Sequence, residues 1–311
     1  MQSHTHSHVG DLAAQTTKRL ALSLSLTAAF VIVEIFAGIF SNSLALLTDA
    51  AHNFTDVVAL GLSWYALRIA AKPANAGKTF GYHRVGILVA LVNSTTLILI
   101  AFGIFYEAWK RLLTPPVVDS GILIGVGAVA FLVNAGTAWL VHKGSEHDLN
   151  LRSTFLHLMG DVLSTLGAVA AGIIIAFTAW NWLDPFVSIL IGGFILYNAW
   201  KVLRQTIHIL LESTPEHIDM STMVSEIRKV DGVRDVHDLH VWSISESLRM
   251  LSAHVVIDNV SIGEGVSIQQ NINELLTHGY NIQHATLQLE CEGCQSNGLY
   301  CLINEHHHTH K

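Results

Sequence analysis

Up to about residue 204 the chain alternates long apolar blocks with short polar connectors. Crossing a hydrocarbon core of roughly 30 Å takes about 20 helical residues. Six blocks have that length: 19–40, 44–68, 86–107, 120–141, 153–178 and 186–204. Each predicts a transmembrane helix, and six crossings place both termini on one side of the bilayer.

Beyond residue 208 the period changes. "PEHIDMSTMVSEIRKV" has helical spacing, "VRDVHDLHVWSIS" and "LRMLSAHVVID" alternate as strands do, "GVSIQQNINELLTHG" is helical again, and "NIQHATLQLE" alternates once more. The order αββαβ predicts an α+β domain of the ferredoxin-like or metallochaperone-like kind, whose strands bury one face and expose the other. The predicted organisation is a polar N-terminal segment at 1–18, an all-α bundle of six transmembrane helices at 19–208, a cytosolic α+β domain at 209–290, and a Cys/His-rich tail at 291–311.

Composition agrees with a polytopic membrane protein. Of 311 residues 51% are hydrophobic and 13% charged, against roughly 25% charged in an average soluble domain. The lipid bilayer is therefore the chain's main partner, and a net charge of -7 gives no basis for binding nucleic acid. Lys and Arg choose the orientation. Lys18, Arg19, Arg68, Lys72, Lys78, Arg84, Lys143, Arg152, Lys201 and Arg204 flank one face, and only Lys110 and Arg111 flank the other. The positive-inside rule then puts both termini in the cytoplasm. The polar, His-containing start "MQSHTHSHVGDLAAQTTKRL" does not read as a cleaved signal peptide.

Against this background the polar groups inside the spans stand out. In "LLTDAAHNFTDVVALGL" His52 and Asp56 are four apart, one turn along one helix face, and "STFLHLMGDVLST" repeats the spacing with His157 and Asp161. A single such pair serves as readily for helix packing. Two pairs on two helices supply two imidazoles and two carboxylates, the complement for a tetrahedral divalent cation such as Zn2+, and carboxylates in a membrane interior are costly enough to be paired and functional. Asp49 lies one turn before His52, where it could orient an imidazole or face solvent near the helix end. Glu34, Asn53, Asn93 and Asn134 read as hydrogen-bonding groups between helices.

"SLALLTDAAHNFTDVVAL", "TFGYHRVGILVALVN", the HxxxD of the fifth span and "VHDLHVWSIS" together resemble the cation diffusion facilitators, and among them the zinc-type bacterial metal/proton antiporters. The resemblance runs from residue 19 to about 290. It implies a homodimer in the cell's inner membrane that exports cytosolic Zn2+ in exchange for protons, with His52, Asp56, His157 and Asp161 as the transport site near mid-membrane. It also implies a second, cytosolic zinc site at His237, His254, His284 and Glu290, structural or regulatory in role. On spacing alone those four residues fit solvated strand faces equally well, and His237 and His240, three apart, point to opposite faces. One departure is visible. Family members often carry an acidic residue two positions after the basic residue of the third-span motif, and here that position is Gly86, leaving any ion pair at that end without its expected partner.

The chemistry of such ligands couples metal to proton. A ligand must be deprotonated to bind metal, and histidine titrates near pH 6.5. Driving a divalent cation out of an inside-negative cell costs about 2.3 kcal/mol per charge per 100 mV, which inward proton flow offsets. The chain has no GxxxxGK[ST] phosphate loop, so a gradient rather than a nucleotide supplies the work.

Further metal ligands cluster at the ends: His4, His6 and His8 near the start, Cys291, Cys294, Cys301 and the terminal His run near the finish. These suit weak capture of metal or a solvated tail; the cysteines form no disulfide framework. The fourth-to-fifth connector "HKGSEHDLN" is short, with His142 and His147, which favours a bacterial source. Two other functions fit parts of the pattern. A membrane-bound metal sensor needs the soluble histidines but not the duplicated pairs. An intramembrane metallohydrolase needs an open coordination position and a base, and there is no HExxH.

Overall fold

The computed structural model describes residues 28–145, 149–245 and 247–291. Six helices come first: α1 (Ala28–Ser41), then α2 (Leu44–Ala70), α3 (Val85–Leu113), α4 (Ser120–Ser145), α5 (Leu149–Thr178) and α6 (Leu183–Leu210). They follow the six apolar blocks, and the beginning of the first block lies outside the described residues. Among the described residues, α3, α6, Ser120–Trp139 of α4 and Phe155–Thr178 of α5 are long and apolar enough to cross a membrane, and α1 is a shorter apolar helix. The 27 residues of α2 have the length, but Asp49, His52 and Asp56 interrupt their apolar run.

Polarity in the bundle is inverted relative to a soluble protein. Phe36, Phe40, Leu99, Phe102, Leu132, Phe177 and Tyr197 are more than half exposed, while Glu34, Ser43, Asp49, His52, Asp161, Thr165 and Asp184 are buried. Large exposed apolar side chains on every long helix suit lipid as the surrounding phase.

By Cα packing the chain forms two compact units, one of the described residues up to Tyr65 with Val89–Leu203, the other of Ala66–Leu88 with the described residues from Arg204. In the first unit α4 and α5 approach closely because side chains are missing where they touch. A Cβ at Gly127 would stand 2.9 Å from Val169 Cγ2, and one at Gly172 would stand 2.9 Å from Ile124 Cγ1. Small residues at a contact let helices pack in lipid, where apolar burial between them drives little.

The start of α2 is fixed by a carboxylate from α6. Asp184 is fully buried; its Oδ2 accepts from the Leu44 amide at 2.6 Å, and its Oδ1 from the Ser43 hydroxyl at 2.6 Å and the Ala45 amide at 3.2 Å. Amides at a helix start have no partner within the helix and favour negative charge. Asp184 supplies both acceptor and charge from 140 residues away, orienting the helix that carries His52 and Asp56.

The second unit contains α7 (Met220–Ile227), β1 (Val233–Ser243), β2 (Arg249–Ile257), α8 (Ile262–Tyr280) and β3 (His284–Glu290), the predicted αββαβ order. The sheet order is β1-β2-β3, antiparallel between β1 and β2 and parallel between β2 and β3. Asp219 caps α7 through the Thr222 amide at 2.7 Å, and Ser261 and Glu264 close a reciprocal capping box on α8. Its core joins Met223 and Ile227 of α7, Leu239, Leu251 and Val255 of the sheet, and Ile272 and Leu276 of α8, all at most 1% exposed. The 71–84 connector packs in this unit as well. Phe80 sets its ring edge-on to His284, centroids 6.4 Å apart, and Arg84 pairs with Glu212 at 2.6 Å. The basic residue of the third-span motif thus has an acidic partner from beyond α6, in place of position 86.

Asp184→Ala should strip a buried hydroxyl and two helix-start amides of their acceptor. At about 1–3 kcal/mol for a buried unsatisfied group, the thermal unfolding midpoint in detergent should fall by several degrees; an unchanged midpoint would show that α2 does not depend on this cap.

Candidate metal centres

Helical spacing on α2 and α5 brings four donors to one place. His52 Nε2 lies 3.4 Å from Asp161 Oδ1 and 3.7 Å from Asp56 Oδ2. His157 Nε2 lies 3.1 Å from Asp56 Oδ2 and 3.7 Å from Asp161 Oδ2. Bonds of 2.0–2.1 Å to a tetrahedral ion put neighbouring ligand atoms about 3.3 Å apart, so these separations are the edges of such a polyhedron. His52, His157 and Asp161 each bring a ligand atom within 4.8 Å of the others, close enough to share one metal ion, and Asp56 reaches both imidazoles. The two rings meet edge-on at 5.6 Å. Neither ring nitrogen of His52 has a hydrogen-bond partner although both are buried. Buried polar atoms are normally satisfied, and a cation held among these carboxylates would satisfy the ring. His52 and Asp161 side chains are 10% and 8% exposed, Asp56 and His157 30% and 43%, so the cluster has a closed side and an open one.

Behind His52 stands a further acidic group. Glu34 of α1 and Asp49 of α2 are both buried, and Asn53 Nδ2 donates to Glu34 Oε2 at 3.1 Å and to Asp49 Oδ2 at 3.3 Å. Asp49 therefore bonds to Asn53 and leaves His52 Nδ1 without a partner, while Asn53 ties α1 to α2. Asn134 Nδ2 is buried with no hydrogen-bond partner.

A second cluster sits on the sheet. His237 and His254 face each other across β1 and β2, with ring centroids 5.2 Å apart. Gln288 of β3 pairs with His254, and Glu290, two residues on, points from the same face of its strand. Glu290 Oε2 lies 3.3 Å from His237 Nε2 and Oε1 lies 3.0 Å from His254 Nδ1. These two nitrogens are buried without hydrogen-bond partners, and the three residues form a candidate metal-holding group. Two imidazoles and a carboxylate around orphaned nitrogens fit a zinc-like ion with a fourth position open.

His284 is not in this group. It pairs with Met250 at the other end of β3, and six strand residues put it about 20 Å from Glu290. It is exposed and rests against Phe80. Of the tail ligands, Cys291 is exposed with a free thiol; His4, His6, His8, Cys294, Cys301 and the terminal histidines lie outside the described residues, as does His147.

Sequence reasoning missed Asp238. A bulge in β1 sets His237 against His254 but His240 against Ser252, three steps against two, and Asp238 takes the left-handed conformation there with φ +49°. Its carboxylate lies 3.2 Å from His240 Nε2 and 3.7 Å from His254 Nε2. The adjacent Asp in "VHDLH" was visible in the chain; the extra residue in the ladder was not.

Residues 20–211 match the cation efflux transmembrane domain and residues 215–292 the cytoplasmic domain of cation efflux proteins. The chain belongs to the cation efflux family. It is a multi-pass membrane transporter and not an enzyme. Among cation efflux relatives, a Bacillus subtilis protein named cadmium, cobalt and zinc/H(+)-K(+) antiporter is 38% identical, covering 94% of this chain and 96% of the relative. The zinc transporter ZitB of Escherichia coli is 35% identical, covering 98% and 99%. Of solved structures, the metal-bound C-terminal domain of the CzcD transporter from Cupriavidus metallidurans is 29% identical, covering 24% of this chain and 99% of that one, with a TM-score of 0.22.

Asn53→Ala should leave the buried Glu34 and Asp49 carboxylates without their shared donor, and Asn53→Asp should add a third acid. The unfolding midpoint in detergent should fall for the first and further for the second; equal midpoints for both variants and the parent would remove Asn53 from this role.

Proposed function

We propose that this cation efflux protein exports zinc-like divalent cations from the cytoplasm in exchange for protons, with His52, Asp56, His157 and Asp161 as the transport site. One observation carries the proposal: the two His–Asp pairs of α2 and α5 stand 3.1–3.4 Å apart across the helices. The names of the relatives, a cadmium, cobalt and zinc/H(+)-K(+) antiporter and a zinc transporter, support the metal and the counter-ion.

The residues themselves perform the exchange. Imidazole nitrogens bind metal only when neutral and carboxylates only when ionised, so metal and protons compete for the same four side chains. Mixed imidazole and carboxylate donors suit Zn2+ and accept Cd2+ or Co2+, while oxygen-only donors favour Mn2+ or Mg2+. Facing one side of the membrane the site takes metal and gives up protons; facing the other, at higher proton concentration, it does the reverse. Rigid-body movement of helices around a fixed site supplies the alternation.

The reading divides the chain into a cytosolic segment at 1–18, the transporting bundle at 19–208, a cytosolic domain at 209–290 and a tail at 291–311. It places the protein in the inner membrane with both termini in the cytoplasm, as the ten-to-two division of Lys and Arg requires. His237, His254 and Glu290 hold a resident zinc ion that is structural or regulatory, and the cytoplasmic domain joins two copies as a homodimer. A bound zinc there would cross-link β1, β2 and β3, stiffening the face on which the ligands stand. His284 is left out of that site by its distance.

Asp161→Ala, in proteoliposomes with internal pH recorded, should reduce metal-driven proton movement at least about 100-fold while the elution volume of the detergent-purified protein stays that of the parent. Undiminished flux would sink the transport-site assignment. His52→Asp should shift metal competition towards Cd2+ and Mn2+ by making the donor set richer in oxygen. A competition profile identical to the parent's across Zn2+, Cd2+, Co2+ and Mn2+ would remove His52 from the ligands.

A further inference from the structure

We infer that Asp238 is a positioning residue for His254, accepting a hydrogen bond from Nε2–H so that Nδ1 is presented to the metal. The inference rests on reading His237, His254 and Glu290 as a metal site.

His254 lies between two carboxylates on opposite edges of its ring. Nδ1 faces Glu290 Oε1 at 3.0 Å and is buried without a hydrogen-bond partner; Nε2 faces Asp238 Oδ2 at 3.7 Å. A neutral imidazole that ligates through one nitrogen carries its proton on the other. Ligation through Nδ1 therefore makes Nε2 a donor, and Asp238 is the carboxylate on that side. Ligand histidines commonly donate their second N–H to a carboxylate, which fixes the tautomer and the ring plane and makes the ligand more basic.

The backbone explains how Asp238 comes to be there. On an unbroken strand residue 238 would face away from His237. The bulge between His237 and His240 and the left-handed φ of +49° turn the side chain toward His254. Bulges recur where a strand must re-aim a side chain, and Asp adopts this conformation more readily than most residues. The 3.7 Å separation exceeds a hydrogen bond. Asp238 and His254 are 23% and 26% exposed, so their side chains have room to close the gap when Nδ1 is ligated. The other Asp238 oxygen faces His240 Nε2 at 3.2 Å, which holds the carboxylate from its far side.

The test uses the full chain in detergent with Asp56→Ala and Asp161→Ala silencing the transport cluster. Zinc is titrated calorimetrically, and the binding step followed is the one that His237→Ala removes. Asp238→Gly keeps the left-handed backbone but deletes the carboxylate, and should weaken that step about 10–100-fold with the zinc-free unfolding midpoint unchanged. Asp238→Asn also tolerates the left-handed region and keeps a side-chain oxygen acceptor; it should recover most of the lost affinity, and a purely structural role would instead show as a lowered zinc-free midpoint in Asp238→Gly. Parent-like affinity in Asp238→Gly overturns the role of Asp238 while leaving the site intact, as does an Asn variant as weak as the Gly variant. If no binding step is lost on His237→Ala, both the site and the role of Asp238 fall.

Discussion

Much of this molecule follows from the difficulty of keeping carboxylates inside an apolar bundle. An ionised carboxylate taken out of water loses several kcal/mol of hydration unless cations or donors replace it. Among the described residues the bundle buries four, and each faces polar groups of the protein. Asp184 takes a hydroxyl and two helix-start amides, Glu34 and Asp49 share the Asn53 amide, and Asp161 faces two imidazoles. The donors of the first two arrangements, hydroxyl and amide groups, keep their protons at physiological pH. The third is different in kind: an imidazolium can lose its proton, and on the proposed reading the freed nitrogen and Asp161 then bind a metal.

That contrast separates scaffold from working site. Asp184 secures the start of α2 to α6, and Asn53 ties α2 to α1 behind His52, so the helix bearing one His–Asp pair is held at two points. The other pair rides on α5, whose contact with α4 is made close by Gly127 and Gly172. A coordination polyhedron with edges near 3.3 Å tolerates little drift in either helix.

Much of this is legible in the chain. Apolar blocks separated by polar connectors mark α1–α6, because a membrane crossing demands length and composition that few other structures need. The alternating runs after residue 208 likewise give αββαβ. Pairs at i, i+4 identify His52, Asp56, His157 and Asp161 since one helix turn fixes their face. What the chain hides are relations without a local signature. Asp184 acts across 140 residues. The Arg84 partner, Glu212, lies beyond the last helix. In the sheet, strict alternation fails at one inserted residue, so Asp238 turns toward His254 where a regular strand would turn it away. His284 has the residue type and parity of a ligand, but parity along a strand says nothing of distance, and β3 carries it to the far end.

The two clusters share a donor chemistry but are built for different residence times. In the bundle, all four donors come from two helices, and Asp56 and His157 are 30% and 43% exposed; a rotation or slide of α2 against α5 would alter both edges that cross between the helices, His52–Asp161 and His157–Asp56. A carrier needs that, because an ion held as tightly in one state as in the other is never released. On the sheet, His237, His254 and Glu290 come from three hydrogen-bonded strands, and the ladder fixes their backbone positions relative to one another. On the proposed reading, the same two residue types make a cargo site where helices hold them and a resident site where a sheet does.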